Sequence, residues 1–295
     1  MLVTEKMKAG KFSDAQQAVI DYICKEEINI ANMTIQEIAK ACYTSNATLI
    51  RLAHKLGYSG WDSFKENLLE EQKYLSSHFP DIDANIPFSR QDSIASIIHK
   101  VAQLKAAAIE DTAELLSPAS IRKAADFIDQ AGMVIILGSH NTLMLGDSFA
   151  LKLGRIGKRA RCYPPDSELR YNHELESPDV VVVAISYSGE TVDTLRNVNT
   201  AYLASTPIIA ITSIGDSTLS TLANVVLPIC TREKMYSKIS WYTTESAIDY
   251  VLDALYSVLF WKHYDQNLDL RIQTARNIES HRQAASSVIA EEETK

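Results

Sequence analysis

Residues Val181–Val192 read VVVAISYSGETV. The run VVVAI is β-branched at four of its five positions, which suits a strand buried on both faces of a sheet. The five residues YSGET that come next offer hydroxyls, one glycine and one acid, with almost nothing to pack. Ligands of open α/β sheets sit beyond the carboxyl ends of the strands. The apolar spacing of Val192, Leu195 and Val198 starts a helix directly afterwards. Amides at a helix start bind anions, and Gly189 lets the backbone approach a ligand closely. Ser186, Ser188 and Thr191 add short neutral donors. One hydroxyl suffices to cap a helix; three around a glycine point to a phosphate group. Glu190 reads as structural, because an acid near a helix start is favoured by the dipole.

Similar apolar runs recur at MVIIL (Met133–Leu137), PIIAIT (Pro207–Thr212) and VVLPI (Val225–Ile229), with a weaker one at RARCY (Arg159–Tyr163). Helical stretches separate them, so the pattern predicts a parallel sheet covered on both faces, a three-layer αβα body. A second strand end repeats the loop chemistry at VIILGSHNT (Val134–Thr142), where Gly138, Ser139, Asn141 and Thr142 precede a helix. One loop is expected to hold the phosphate and the other the polar body of the ligand. The head of the chain differs, for it reads as helix only. Between head and body, SHFPDIDANIPFSRQD (Ser77–Asp92) carries two prolines and several turn formers, the best linker in the chain. The expected division is a head over 1–79, a linker over 80–92, a body over 93–270 and a helical C-terminal tail over 271–295.

The sharpest pattern in the head is TIQEIAKACYTSNATLIRLAHKLGYSGW (Thr34–Trp61). Thr34 and Glu37 fit a capping box opening a short helix that runs to about Cys42. Tyr43-Thr44-Ser45 breaks it, and Ser45 is placed to cap a second helix over Asn46–Leu56. There Leu49, Leu52, Ala53 and Leu56 form one buried stripe. Thr48, Arg51 and Lys55 fall on another face, with Asn46 at the exposed start. Two short helices joined by a three-residue turn have the geometry of a helix-turn-helix, whose second helix reads the major groove. Residues 1–79 hold nine Lys/Arg against ten Asp/Glu, yet between Glu37 and Asp62 stand Lys40, Arg51 and Lys55 with no acid. Lys40, Ser45, Asn46, Thr48, Arg51 and Lys55 are therefore the candidate contacts to double-stranded DNA.

Through T-x-x-E-I-A, S-x-A-T, Arg51 and KLGYSGW-x-x-F (Lys55–Phe64), the head resembles the N-terminal helix-turn-helix of the RpiR family of bacterial regulators. The family often has glycine where Tyr43 stands and an aliphatic residue where Thr44 stands. The body is similar to a SIS domain, the sugar-isomerase module that usually follows such a head. ISYSGET, LKLGRIGK (Leu151–Lys158), the IIAIT strand and STLSTLANVVL (Ser217–Leu227) carry that likeness. The resemblance implies that Ser186, Ser188 and Thr191, around Gly189, hold the phosphate of a phosphosugar effector. The family's first loop is usually G-x-G-x-S; Gly138 matches its first glycine and Thr142 its serine, while His140 replaces the second glycine. Ser139, Asn141 and Thr142 are the effector candidates there.

The bulk numbers bound these readings. A chain of 295 residues, 46% hydrophobic, is long enough for two domains. No run approaches the ~18 apolar residues of a membrane span, and MLVTEKMKAG lacks the core of a signal peptide. Cys24, Cys42, Cys162 and Cys230 are scattered with no C-x-x-C pair, so no metal, no disulfide framework and no cofactor is expected, and the protein is placed in the cytoplasm. The net charge of −8 argues against nonspecific nucleic-acid binding by the whole chain. The function that follows is a transcriptional regulator controlled by a phosphosugar. It is expected to work as a homodimer, since one such head contacts only a few base pairs. The alternative is a phosphosugar isomerase with an accessory head. An isomerase needs a proton-transfer group, for which Glu245, His173 and Glu174 are candidates. None lies in a motif tied to catalysis, and Glu245 reads as the exposed start of a long helix, so no enzymatic activity is expected.

Overall fold

The computed structural model describes residues 3–24, 30–76, 82–164 and 177–279. The chain divides into two compact units, Met1–Asp111 with Ile214–Ser217 and Arg232–Tyr242, and Thr112–Ser213 with Thr218–Thr231 and Thr243–Lys295.

The head of the first unit is a bundle of α1 (Val3–Ala9), α2 (Asp14–Ile23), α3 (Ile35–Ala41), α4 (Asn46–Lys55) and α5 (Trp61–Ser76). Its core is apolar, with Ile23, Ile38, Leu49, Leu52 and Phe64 fully buried. Two helix starts are fixed by reciprocal capping boxes, Ser13 with Gln16 on α2 and Thr34 with Glu37 on α3. The Thr34 amide and hydroxyl hold the Glu37 carboxyl below its usual range. The start of α1 is held from a distance. The buried Glu71 on α5 accepts the Thr4 amide at 3.0 Å and also takes the Val3 amide and the Thr4 hydroxyl.

Four helix ends show how this chain stops a helix. After α3, the Tyr43 amide bonds the Lys40 carbonyl at 3.2 Å and the Thr44 amide the Ala39 carbonyl at 2.9 Å. This is a Schellman motif, whose C′ residue must be left-handed. The same pair of bonds ends α4 at Gly57 and recurs at Gly157 and Ser205. The C′ residue has φ 91° at Gly57, 77° at Gly157, 61° at Ser205 and 50° at Tyr43. A left-handed residue with a side chain costs about 1–2 kcal/mol. Tyr43 thus occupies a position that the chain elsewhere gives to glycine twice and to a small serine once.

In the second unit, β1 (Met133–Leu137), β2 (Ala160–Tyr163), β3 (Val180–Ile185), β4 (Ile208–Ser213) and β5 (Val225–Ile229) form one parallel sheet in the order β2-β1-β3-β4-β5. All five runs picked out in the sequence are strands. Every residue of β3 is buried. Helix α6 (Ile94–Leu115) lies mainly in the first unit; the helices of the second are α7 (Pro118–Gln130), α8 (Asn141–Gly154), α9 (Val192–Leu203), α10 (Thr218–Leu222), α11 (Tyr242–Lys262) and α12 (Tyr264–Glu279). The expected boundary at residue 270 falls inside α12, which is continuous because no breaker interrupts it. The rest of the expected tail, 280–295, lies outside the described residues, as do 77–79 of the expected head and 80–81 of the expected linker.

Close packing of α8 on the sheet explains one glycine. A Cβ on Gly146 would sit 2.8 Å from Ile136 Cγ2 and 2.9 Å from Cys162 Sγ. Burial first, and then the nearby Asp147, push the Cys162 thiol up to about 12. It is therefore no nucleophile at neutral pH.

Candidate functional site

Strand order reverses direction between β1 and β3, so the loops leaving these two strands flank a crevice at the carboxyl edge, where such sheets bind ligands. Register aligns their ends, Leu137 opposite Ala184.

The loop after β3 runs through Ser186–Thr191 into α9. Gly189 is buried at φ 68°, and its amide closes a turn on the Ser186 carbonyl at 3.1 Å. The Ser186 and Thr191 hydroxyls lie 2.8 Å apart, and Ser188 Oγ accepts the Glu190 amide at 3.1 Å. Thr191 is the N-cap residue of α9, yet its side chain makes no capping bond. The Ser186 and Thr191 hydroxyls are thus paired at a helix start that Thr191 does not cap, with Ser188 in the same loop. Glu190 is structural as expected, but for a different helix. Its carboxylate accepts the Thr218 amide at 2.7 Å and the Thr218 hydroxyl at 2.8 Å, holding the start of α10. The Gly189 carbonyl assists by accepting the Leu219 amide at 3.1 Å.

The loop after β1 is tighter. A Cβ on Gly138 would meet Thr142 Oγ1 at 2.8 Å and the Leu143 amide nitrogen at 3.1 Å, so space demands glycine. The Thr142 amide donates to the Ser139 carbonyl at 3.2 Å, closing a turn with His140 second in it, at φ 52° and ψ −122°. Those angles belong to a type II′ turn and favour glycine; the exposed His140 adopts them at roughly 1–3 kcal/mol of strain. Thr142 departs from its expected role. Its hydroxyl accepts the Ser139 amide at 2.9 Å and donates back to the Ser139 carbonyl at 2.9 Å, so it is occupied in closing the loop. Ser139 is half-buried.

Asn141 brings in a residue that the sequence placed elsewhere. Its Nδ2 donates to Glu245 Oε1 at 2.7 Å, across 104 positions. Glu245 is not the exposed helix start expected of it; it is half-buried in the first turn of α11, tied to the first ligand loop. His173 and Glu174 lie outside the described residues. No cluster of three or more metal-ligating side chains occurs among the described residues.

In the head, α3 and α4 form the expected pair. Leu49, Leu52, Ala53 and Leu56 are buried, while Lys40, Ser45, Arg51 and Lys55 are exposed and Asn46 is half-exposed. Three expectations change. Ser45 is the N-cap residue by backbone, but its hydroxyl pairs with that of Thr48 at 3.1 Å, so no side chain caps α4. Thr48 is only 9% exposed, so it lies on the buried side of α4. Lys55 is engaged at home: its Nζ donates to the Lys11 carbonyl at 2.5 Å and lies 5.2 Å from the Phe12 ring centroid. Arg51 lies along its own helix, Nε to the Ala47 carbonyl at 3.2 Å. The exposed face of α4 also carries Ala47, Ile50 and His54, which the sequence reading passed over. The exposure of Ile50 was hidden because its apolar side chain reads as core.

Residues 1–74 match the family model described as "Helix-turn-helix domain, rpiR family", and residues 127–251 match the SIS domain. An uncharacterized HTH-type transcriptional regulator of Caldanaerobacter subterraneus subsp. tengcongensis is 25% identical over 267 residues, which cover 90% of this chain and 92% of that protein. In fold, the chain is similar to the Vibrio vulnificus NanR protein complexed with ManNAc-6P, with a TM-score of 0.59 and 22% identity over 96% of this chain and 100% of that one. A putative sugar-phosphate isomerase from Listeria monocytogenes shares the fold over 64% of this chain and 99% of its own, with a TM-score of 0.55 and 17% identity.

Proposed function

Because this chain is an rpiR-type helix-turn-helix regulator joined to a SIS domain, we propose that a phosphosugar held between the loops after β1 and β3 controls how α4 binds an operator. The observation that carries the effector half is the pairing of the Ser186 and Thr191 hydroxyls, with Ser188 in the same loop around the buried Gly189, at a helix start that the N-cap Thr191 leaves uncapped. Neutral donors with a helix dipole suit a phosphate dianion. Ser139 and Asn141 meet the sugar, while Thr142 shapes the loop that presents them. The phosphorylated amino sugar in the Vibrio vulnificus complex is of the chemistry this pair of loops fits.

On the DNA side, Arg51 and Asn46 read base edges, Ser45 and Lys40 touch phosphates, and Thr48 and Lys55 support the helix from behind. The functional division is a head over 1–79 and a body from 93 through the end of α12, joined by 80–92. Two copies of the chain place two heads on palindromic half-sites, in the cytoplasm where the operator is. Arg51→Ala is expected to weaken operator binding by about 1–3 kcal/mol and relax specificity at one position. Lys40→Ala instead weakens binding to every duplex and flattens the salt dependence. Binding isotherms at several salt concentrations check both. Unchanged operator affinity in Arg51→Ala would remove α4 as the reading helix.

One observation favours a second reading. Glu245 beside Asn141 puts a carboxylate at the first ligand loop, where an aldose–ketose isomerase would need its base. A carboxylate whose oxygen is already bonded by an amide serves better to orient Asn141 than to move protons. The purified chain is therefore expected not to interconvert aldose and ketose phosphates. A turnover lost in Glu245→Gln would establish the isomerase instead.

A further inference from the structure

We propose that Tyr43 is a contact to the DNA backbone, placed in the turn between α3 and α4 at the expense of fold stability; the inference rests on the DNA-binding reading of the head. Tyr43 sits at the C′ position of a Schellman motif with φ 50°. The same motif in this chain carries glycine at 57 and 157, which bear left-handed angles without strain. Nothing in the fold rewards the larger side chain. Tyr43 is 99% exposed, so its ring packs on no neighbour.

What the fold does not use, the position can. Tyr43 lies two residues before the N-cap Ser45 of α4, in the turn that a docked helix-turn-helix holds close to the phosphates. The first charge on either side along the chain is a cation, Lys40 before it and Arg51 after it, inside the acid-free window between Glu37 and Asp62. A phenol there offers one O–H donor to a phosphate oxygen. With only two side-chain torsions it loses little freedom on binding. Being uncharged, it adds affinity without adding counterion release, so its share does not fade with salt as that of Lys40 does.

Stability and binding are expected to move in opposite directions. Binding of the full chain is measured to duplexes it enriches from a random 30-base-pair pool, with the unenriched pool alongside. Tyr43→Gly should melt a few degrees higher and bind both kinds of duplex about tenfold more weakly, with an unchanged salt slope. Tyr43→Phe keeps the strained backbone, so its melting temperature should equal that of the wild type while its affinity falls with that of the glycine variant. Wild-type affinity in Tyr43→Gly, with the wild-type chain binding normally, would overturn the inference and leave the regulator reading standing. A wild-type chain that binds no duplex would overturn both.

Discussion

Phe64→Ala is expected to unfold the head and abolish DNA binding while leaving phosphosugar binding by the SIS domain in place. Phe64 is fully buried in the head core. Its ring centroid lies 5.6 Å from that of Tyr58 in an edge-on arrangement and 5.1 Å from that of Trp61. Removing such a ring costs about 3–5 kcal/mol, part of it for the cavity left behind. A head of this size has little stability to spare. Two-probe thermal melts of the full chain, one reporting tryptophan fluorescence and one the ligand-induced shift, check the outcome. If the sugar response disappears together with the head, the two domains fold as one cooperative unit and the separation of roles is wrong.

The second large effect lies at the sheet edge. Ser188→Ala removes a hydroxyl that, among the described residues, accepts only the exposed Glu190 amide, and water can replace that bond. The turn itself survives through the Gly189 amide on the Ser186 carbonyl. What is lost is a hydrogen bond to a charged phosphate, worth about 1.5–3 kcal/mol, or roughly ten- to hundredfold in affinity. Operator binding without ligand should be intact, so the variant finds its operator and answers its sugar only at higher dose. A panel of hexose and hexosamine 6-phosphates identifies the ligand, which at 100-fold over its dissociation constant should stabilise the wild type by about 2.7 kcal/mol. A gel shift across a titration of that ligand then compares the variant. Equal midpoints would mean that the hydroxyls of this loop do not hold the phosphate.

The sheet was legible because each strand is a continuous apolar run, and a run such as VVVAI has few other places to go in a folded chain. The α3–α4 pair was legible because caps and buried stripe are local patterns. What escaped the sequence is what long-range contact decides. Glu245 meets Asn141 across 104 positions, and Glu190 serves a helix start 28 positions ahead. Neither partner leaves a trace in the other's neighbourhood. Lys55 looked like a phosphate contact because its tie to Lys11, 44 positions away, has no sequence signal either. Thr48 illustrates a different limit. A threonine at the margin of an amphipathic helix falls on either face; here it is buried, with its hydroxyl 3.1 Å from that of Ser45.

Seen as mechanics, the bond between Asn141 and Glu245 has a consequence well away from the sugar loops. Glu245 stands in the first turn of α11, a single uninterrupted rod of 21 residues, about 30 Å long. At its far end Lys262 grips Asp126 at 2.6 Å and Asp129 at 3.0 Å, both on α7. Through Glu245 at one end and Lys262 at the other, this one helix joins the loop after β1 to α7.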